Sequence, residues 1–490
     1  MLLSRREALR LTGAAALALP LGALAVSCGG GTGASGAQDG SADGNLLRSA
    51  VTLPPPFSLP LTIPPVLRPI RTDAATDYYE ITARVGVQGI LPGLRTEVWG
   101  DDGRFPGPTI EARSGRKVVI RTRNELSVPI VTHLHGGHTP PESDGYPTDL
   151  ILPMSGWADT HHEQDPQHAG NIAQGVRDYT YPLEQRVATL WYHDHRMDFT
   201  GPQLWRGLAG FHLLRDEEDD ALPLPKGERD VPLMITDRAF GENGSLAYPS
   251  VDPELHTPGV TGDFHNGVLG DVILVNGVPW PFFEVEAARY RLRLLNASTA
   301  RRYRLALDPE PGGEAAFVQV GSDGGLLDAP HALRSIYITP AERFDVVVDF
   351  SRYQPGTTVL LRNRLGSGGA EQVMQFRVTR AARDDSTIPA ALSRFERLDP
   401  TRATQTRSFA FNRVTENGHT VFRIQDRLFM PDFIAADPRL GSTEIWTLTS
   451  STTHPIHVHL SPFQVLERAG GYSRRTRAGR TPSGSHRTKP

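Results

Sequence analysis

The chain has 490 residues, too many for one hydrophobic core, which predicts two or three domains. Its 51 Lys and Arg against 55 Asp and Glu leave a formal net charge of −4, which argues against a nucleic-acid partner. The 48 Gly and 40 Pro punctuate short β-branched runs, and no long stretch of 3.6-residue period appears beyond the N-terminus, so the pattern is that of an all-β sandwich or barrel protein.

Ser4-Arg5-Arg6-Glu7-Ala8-Leu9 sets two arginines ahead of an apolar stretch from Leu11 to Val26. That stretch is short and rich in Ala and Gly for a membrane span, and it reads as a signal peptide. Adjacent arginines in this setting resemble a Tat signal and predict export to the periplasm or cell envelope. The only cysteine, Cys28, closes Leu24-Ala25-Val26-Ser27-Cys28, which resembles a bacterial lipobox. Residues 1–28 are thus a leader, and Cys28 either carries a lipid anchor or is discarded with the peptide. With one cysteine there is no intramolecular disulfide framework.

Residues 29–71 read as a linker, Gly/Ser/Ala-rich and flexible to Gly44, then proline-rich from Pro54 to Pro69 and extended along a surface. Domain one is expected over 72–216 and closes on an acidic, solvated run, Asp216 to Asp220. Domain two is expected over 225–380, a polar linker over 381–406, a third β segment over 407–467 and an Arg-rich tail over 468–490.

Thr132-His133-Leu134-His135 follows the apolar run Val128-Pro129-Ile130-Val131 and reads as strand. Side chains at i and i+2 leave the same face of a strand, so His133 and His135 present two imidazoles side by side. The pattern recurs in His193-Asp194-His195 after Thr189-Leu190-Trp191-Tyr192, and in His457-Val458-His459 after His454-Pro455-Ile456. Random placement of 17 His would give roughly 0.6 such pairs. One pair alone is ordinary on a strand edge. Three in strand-like contexts point to a metal, because neutral imidazole is the commonest metal ligand. The remaining candidates read more plainly. His138, past the Gly136-Gly137 turn, supports the ligands or is structural. His161, His162 and His168 face solvent from a polar loop. His212 satisfies a backbone group within a strand, and Met154 and Met430 are core.

An internal repeat links the outer domains. Ser114 to Ile120 leads through a polar turn to Pro129-Ile130 and His133, and Leu440 to Trp446 leads likewise to Pro455-Ile456 and His457. Arg289 to Asn296 has the same cadence, but the strand after it, Arg302-Tyr303-Arg304-Leu305, has no histidine. Three related β domains follow, with ligands in the outer two and a spacer between them.

These residues resemble the multicopper oxidases, in the branch of spore-coat laccases, bilirubin oxidases and phenoxazinone synthases. The resemblance rests on His133-Leu134-His135-Gly136, Ser143-Asp144-Gly145-Tyr146-Pro147, Trp191-Tyr192-His193-Asp194-His195 and Gly207 to Asp216. It continues in Gly321-Ser322-Asp323-Gly324-Gly325, Pro340-Ala341-Glu342-Arg343-Phe344-Asp345 and His454 to Leu460. It implies three cupredoxin-like Greek-key β-barrel domains, the third incomplete, and copper as cofactor. By position, His133 and His457 would hold a type 2 copper, His135 and His193 one type 3 copper, and His195 and His459 the other. His454 would serve a type 1 copper, and Asp144 would be a carboxylate beside the cluster that conducts protons. The implied reaction is one-electron oxidation of a small phenolic, aminophenolic or pyrrolic reductant coupled to four-electron reduction of O2 to water, by a monomer.

The chain departs from the family in one respect. The family's His-Cys-His stretch, whose thiolate binds the type 1 copper, is not found, since no cysteine follows Cys28. Arg468 to Pro490 is rich in Arg, Ser, Thr and Gly. The expectation is a truncated or frameshifted gene product, or a sequencing error, with Ile456, Val458, Leu460 and Phe463 as an unpaired apolar edge. Two alternatives to an active oxidase stay open here: a non-enzymatic cupredoxin-fold protein akin to the cell-division relatives, and a periplasmic copper-binding protein.

Overall fold

The structure is a computed structural model that describes residues 44–157, 170–313, 315–416 and 419–468. The leader with Arg5, Arg6 and Cys28, the loop histidines His161, His162 and His168, and the tail beyond Arg468 lie outside the described residues. Strands dominate, and α-helix among the described residues is limited to Thr200–Arg206 and Glu217–Ala221. The chain is all-β.

In the first β domain, a five-stranded sheet sets Val176–Tyr181, Lys117–Asn124, Thr76–Gln88 and Arg71–Thr72 side by side, with Thr96–Asp101 also paired to Thr76–Gln88. A four-stranded sheet orders Ile110–Arg113, Ala209–Arg215, Ala188–Asp194 and Thr132–His135. Alternation builds both. In Lys117–Asn124 the buried Val118, Ile120 and Thr122 take every second place. The facing sides of the two sheets share a core of Tyr79, Ile81, Val118, Ile120, Leu134, Leu190, Tyr192 and Leu214. Ala188–Asp194 is buried along its whole length, because both of its faces are covered. Leu190 and Tyr192 enter the first core, while Trp191 on the opposite face joins the core of the middle domain.

The middle domain packs an eight-stranded sheet, in which Asp230–Phe240, Arg289–Asn296, Arg343–Asp349 and Phe317–Ser322 are neighbours, against a five-stranded one. The segment before domain one straps the two together. Asn45–Leu47 pairs in parallel with Val268–Gly270, Leu61 N–H donates to Phe282 O at 2.7 Å, and Leu67 N–H donates to Thr109 O at 2.8 Å.

The acidic run differs from its expectation. Asp216 caps Glu217–Ala221 by accepting from Asp219 N–H, and Asp219 is buried rather than solvated. The cause is a cluster of buried guanidiniums: Arg291 Nη1 lies 2.7 Å from Asp219 and its Nη2 2.6 Å from Asp345. Arg293 reaches Asp230 at 2.7 Å in the same network.

The third segment is a three-stranded sheet of His419–Ile424, Gln405–Glu416 and Glu444–Ser450. Phe422, Ile434 and Leu440 are exposed on it. The edge expected beyond it is not laid open, since Ile456 is buried and Val458, Leu460 and Phe463 are half-buried. Ring contacts of His457 and His459 with domain one hold that stretch down.

Candidate metal centre

In the four-stranded sheet His193 sits opposite His133, and Trp191 opposite His135, in antiparallel register. Leu134 enters the core, and His133 and His135 leave the other face with ring centroids 5.5 Å apart. His195 lies one residue beyond Ala188–Asp194, where its N–H donates to Val131 O at 2.8 Å. Its ring is 5.7 Å from that of His193. Asp194 turns away between them, and its carboxylate accepts the N–H groups of Val131 at 2.9 Å and Arg196 at 3.1 Å. Burial pushes the Asp194 carboxyl up to about 7.

The third pair arrives from far along the chain. Contrary to the strand reading, His457 and His459 belong to no named strand. Pro455 removes a ladder donor just before them. Their rings nevertheless stack on domain one, His457 on His135 at 3.8 Å and His459 on His133 at 4.1 Å between centroids.

Hydrogen bonds fix which nitrogens are free. The Asp144 carbonyl can only accept, so His133 Nδ1 carries the hydrogen in their 2.5 Å contact. His133 Nε2 is thereby a bare lone pair, and it faces His457 Nε2 at 3.3 Å. In the same way His193 Nδ1 donates to Asp194 O at 2.8 Å, leaving His193 Nε2 bare at 3.2 Å from His135 Nδ1. Two nitrogens each about 2.0–2.1 Å from one ion stand roughly 3.3 Å apart at a tetrahedral angle. Asp144 spans the two chain regions, because its Oδ2 also accepts from His459 Nδ1 at 2.6 Å while its buried Oδ1, 3.5 Å from His133 Nδ1, accepts no hydrogen bond. Gly145 makes this approach possible, since a Cβ there would lie 2.3 Å from Thr132 O. Burial, then the neighbouring imidazoles, holds His133 well below its usual range and takes His193 to about 3, His195 to about 4 and His457 to about 2. His135 is likewise held well below, by burial, His457 and Arg343. Near neutral pH all five are uncharged, which is the ligating form. Two trios, His133 with His457 and His459 and His133 with His135 and His193, keep their ligand atoms within 4.8 Å of one another. A cluster of neutral imidazoles suits copper or zinc.

The structure therefore brings six of the seven candidate ligands together. His454 stands apart, exposed, with Nδ1 donating to Pro455 O at 2.6 Å. His138 is exposed, and its main-chain N–H meets Gln185 Oε1 at 2.5 Å. Met154 and Met430, expected in the core, are exposed at 49% and 37%. His212 also differs. It is fully buried but bonds no backbone group, because its face of the strand lines a pocket with Asp101, Thr122 and Tyr181 rather than main chain. Burial takes its pKa to about 3. Below pH 6.5 the unfolded chain binds a proton here that the folded one refuses, so stability falls as pH falls toward 3, by about 1.4 kcal/mol per pH unit for one group. Acid unfolding of the copper-free protein, followed by tryptophan fluorescence, should have a shallower pH slope in His212→Leu; an unchanged slope would contradict this. Sequence reading assigned no role to Asp194 or Arg343. The place of Asp194 between two ligands was a usable signal, but nothing in spacing could mark Arg343.

An imidazole cage closed by two β domains of one chain defines a metalloprotein of the cupredoxin type. Multicopper oxidase family models match residues 86–219 and 397–487. A laccase of Bacillus subtilis (strain 168) is 37% identical over 446 residues, with 83% of each chain covered. A bilirubin oxidase of Albifimbria verrucaria is 35% identical over 452 residues, covering 86% of this chain and 72% of the relative. Among solved structures, a laccase from Pediococcus acidilactici superposes with a TM-score of 0.75 at 29% identity, covering 90% of this chain and 88% of its own. The chain belongs to the multicopper oxidases. Within that family it is a laccase-like, copper-dependent oxidoreductase.

Proposed function

We propose that His133 and His457 hold a type 2 copper, His135 and His193 one type 3 copper, and His195 and His459 the other. The observation carrying this reading is the meeting of six imidazoles, four from domain one and two from the third segment, in which the bare His133 Nε2 stands 3.3 Å from His457 Nε2 and the bare His193 Nε2 stands 3.2 Å from His135 Nδ1. Bound there, copper would supply the one-electron redox chemistry that couples oxidation of an organic donor to four-electron reduction of O2 to water. The residues supply placement. Trp191 packs on His193 with centroids 4.2 Å apart, and Asp144 fixes the tautomer of His133 and holds His459. The Asp144 carboxylate, with one buried oxygen that accepts no hydrogen bond, is also the group that delivers protons to the site. The donor is a small phenolic, aminophenolic or pyrrolic reductant, in keeping with the laccase and bilirubin oxidase relatives. His454, outside the cluster, is the one residue here at a type 1 ligand position, and without the family's thiolate that copper is absent from this chain. One chain supplies all six clustered imidazoles, and the protein acts as a monomer.

The single cysteine is Cys28, in the leader, so no thiolate accompanies His454. The copper-loaded chain should therefore bind metal without the intense blue absorption of a thiolate-bound copper. The deciding experiment loads the purified chain with copper, measures bound metal after dialysis and follows oxygen uptake with a phenolic donor. Retained copper with oxygen uptake above that of free copper supports the oxidase. Retained copper without uptake leaves only copper binding, and no retained copper sinks the site.

We further propose export by the Tat route, from Arg5-Arg6 and the apolar run after them, with Cys28 as a lipid anchor in the cell envelope. Arg5→Lys combined with Arg6→Lys should strand the protein in the cytoplasm. Undiminished export of that variant, seen by cell fractionation, would end the proposal.

A further inference from the structure

We propose that Arg343, from the middle domain, is a positioning residue that holds the two ligand-bearing strands of domain one in register. The inference rests on the copper reading above. In Ala188–Asp194 the odd-numbered residues direct their main-chain groups toward Thr132–His135, as His195 N–H does in reaching Val131 O. The pairing of Trp191 with His135 is the last rung of that ladder. At Gly136 (φ +86°) the chain turns away, and Gly137 N–H closes the turn on Leu134 O at 3.0 Å. Thr189 O therefore points at a place the neighbouring strand has just vacated. Arg343 fills it: Nε–H donates to Thr189 O at 3.0 Å, Nη2 to Asp323 O at 3.1 Å and Nη1 to Ala341 O at 2.9 Å.

The guanidinium also packs on the turn itself, since a Cβ on Gly136 would stand 2.6 Å from Nη2 and 3.0 Å from Leu190 Cδ2. One planar group thus touches the end of the His133–His135 strand and the strand that carries His193. Asp323 fixes that group, taking Nη1 at 2.9 Å and the Arg343 main-chain N–H at 2.7 Å. Arg343 is 2% exposed, and four fixed partners leave its fork a single orientation. Lysine, a point charge on a flexible stem, cannot reach Thr189 O and both middle-domain carbonyls at once. The Gly321–Gly325 and Pro340–Asp345 motifs thereby gain a shared purpose, as the two halves of a clasp.

The test measures copper affinity by chelator competition, and the electron paramagnetic resonance spectrum of bound Cu(II), in the full chain. Arg343→Lys should weaken copper binding about 10–100-fold, the range for lost supports of metal ligands, and alter the copper hyperfine pattern. Asp323→Asn, which keeps the volume but loosens the clasp, should move both readouts in the same direction by less. Arg301→Lys, which disturbs a buried ion pair with Asp237 within the middle domain, is the control for general destabilisation. If both clasp variants bind copper like the unmodified chain, or weaken it no more than Arg301→Lys with an unchanged spectrum, the proposal is wrong. Should Arg343→Lys fail to fold, Asp323→Asn decides alone. An unmodified chain that binds no copper would instead overturn the copper reading, and this inference with it.

Discussion

His133→Ala should strip the folded chain of most of its copper, with affinity down at least ~100-fold. His133 is the hub of the cluster. Its ring centroid lies 4.1 Å from that of His459 and 5.3–5.5 Å from those of His135, His193, His195 and His457. It is also the residue common to both ligand trios. Losing a support of a ligand costs about 10–100-fold in affinity, and losing the ligand itself costs more. The fold should survive, because the neighbouring Leu134, not His133, carries this strand's place in the first core. His138→Ala is the matched control, an exposed histidine just past the strand that carries His133. Metal analysis after dialysis and the thermal midpoint of the copper-free protein separate the two effects. Copper content equal to that of the unmodified chain would refute the ligand assignment.

Arg293→Ala should lower stability by about 3 kcal/mol, the low end of the cost of breaking a buried ion pair, because Arg215 still reaches the Asp230 carboxylate. Arg293 is fully buried. It binds Asp230 through Nε at 2.7 Å and Nη2 at 2.9 Å, and through Nη1 it reaches Thr189 Oγ1 at 3.1 Å. Burial alone would raise the Asp230 carboxyl, but Arg293, Arg291 and Arg215 together hold it well below the usual carboxylate range. That stabilisation is present above the unfolded carboxylate pKa and is lost as pH falls through the lowered one. The variant should therefore show a large deficit near neutral pH that shrinks in acid, measured by urea unfolding at several pH values. Replacing both partners, as Arg293→Met with Asp230→Leu, should recover part of the loss, because no buried carboxylate then lacks its guanidinium while Arg215 keeps Glu111 and Asp219 as ion-pair partners. A deficit below about 1 kcal/mol near neutral pH would show the network to be dispensable.

Much of this was decided locally. Period-two alternation and turn residues are enough for the all-β class, since a half-buried strand needs little more than its own pattern. The His133 and His135 pair shares a face by strand geometry alone, and the excess of such pairs over roughly 0.6 expected by chance points to metal. Asp144 could be singled out through its motif, though nothing local says that its carbonyl meets His133 while its carboxylate meets His459.

Other features were settled only by long-range packing. Asp219 reads as solvated within an acidic run, and becomes a buried ion-pair partner because Arg291 approaches from a strand 72 residues away. His212 reads as an ordinary strand histidine, and its bare ring nitrogens follow from which pocket its face of the sheet lines. His457 and His459 gain their neighbours across more than 300 residues of chain, from a segment that is no named strand. Arg343 was the least visible of all, because its partner is a carbonyl freed by the end of another domain's ladder. Side-chain chemistry and local periodicity depend on neighbours in sequence, so the chain alone declares them. Which main-chain groups are left unpaired, and which charges are buried together, depends on how domains meet, and only the tertiary structure decides that.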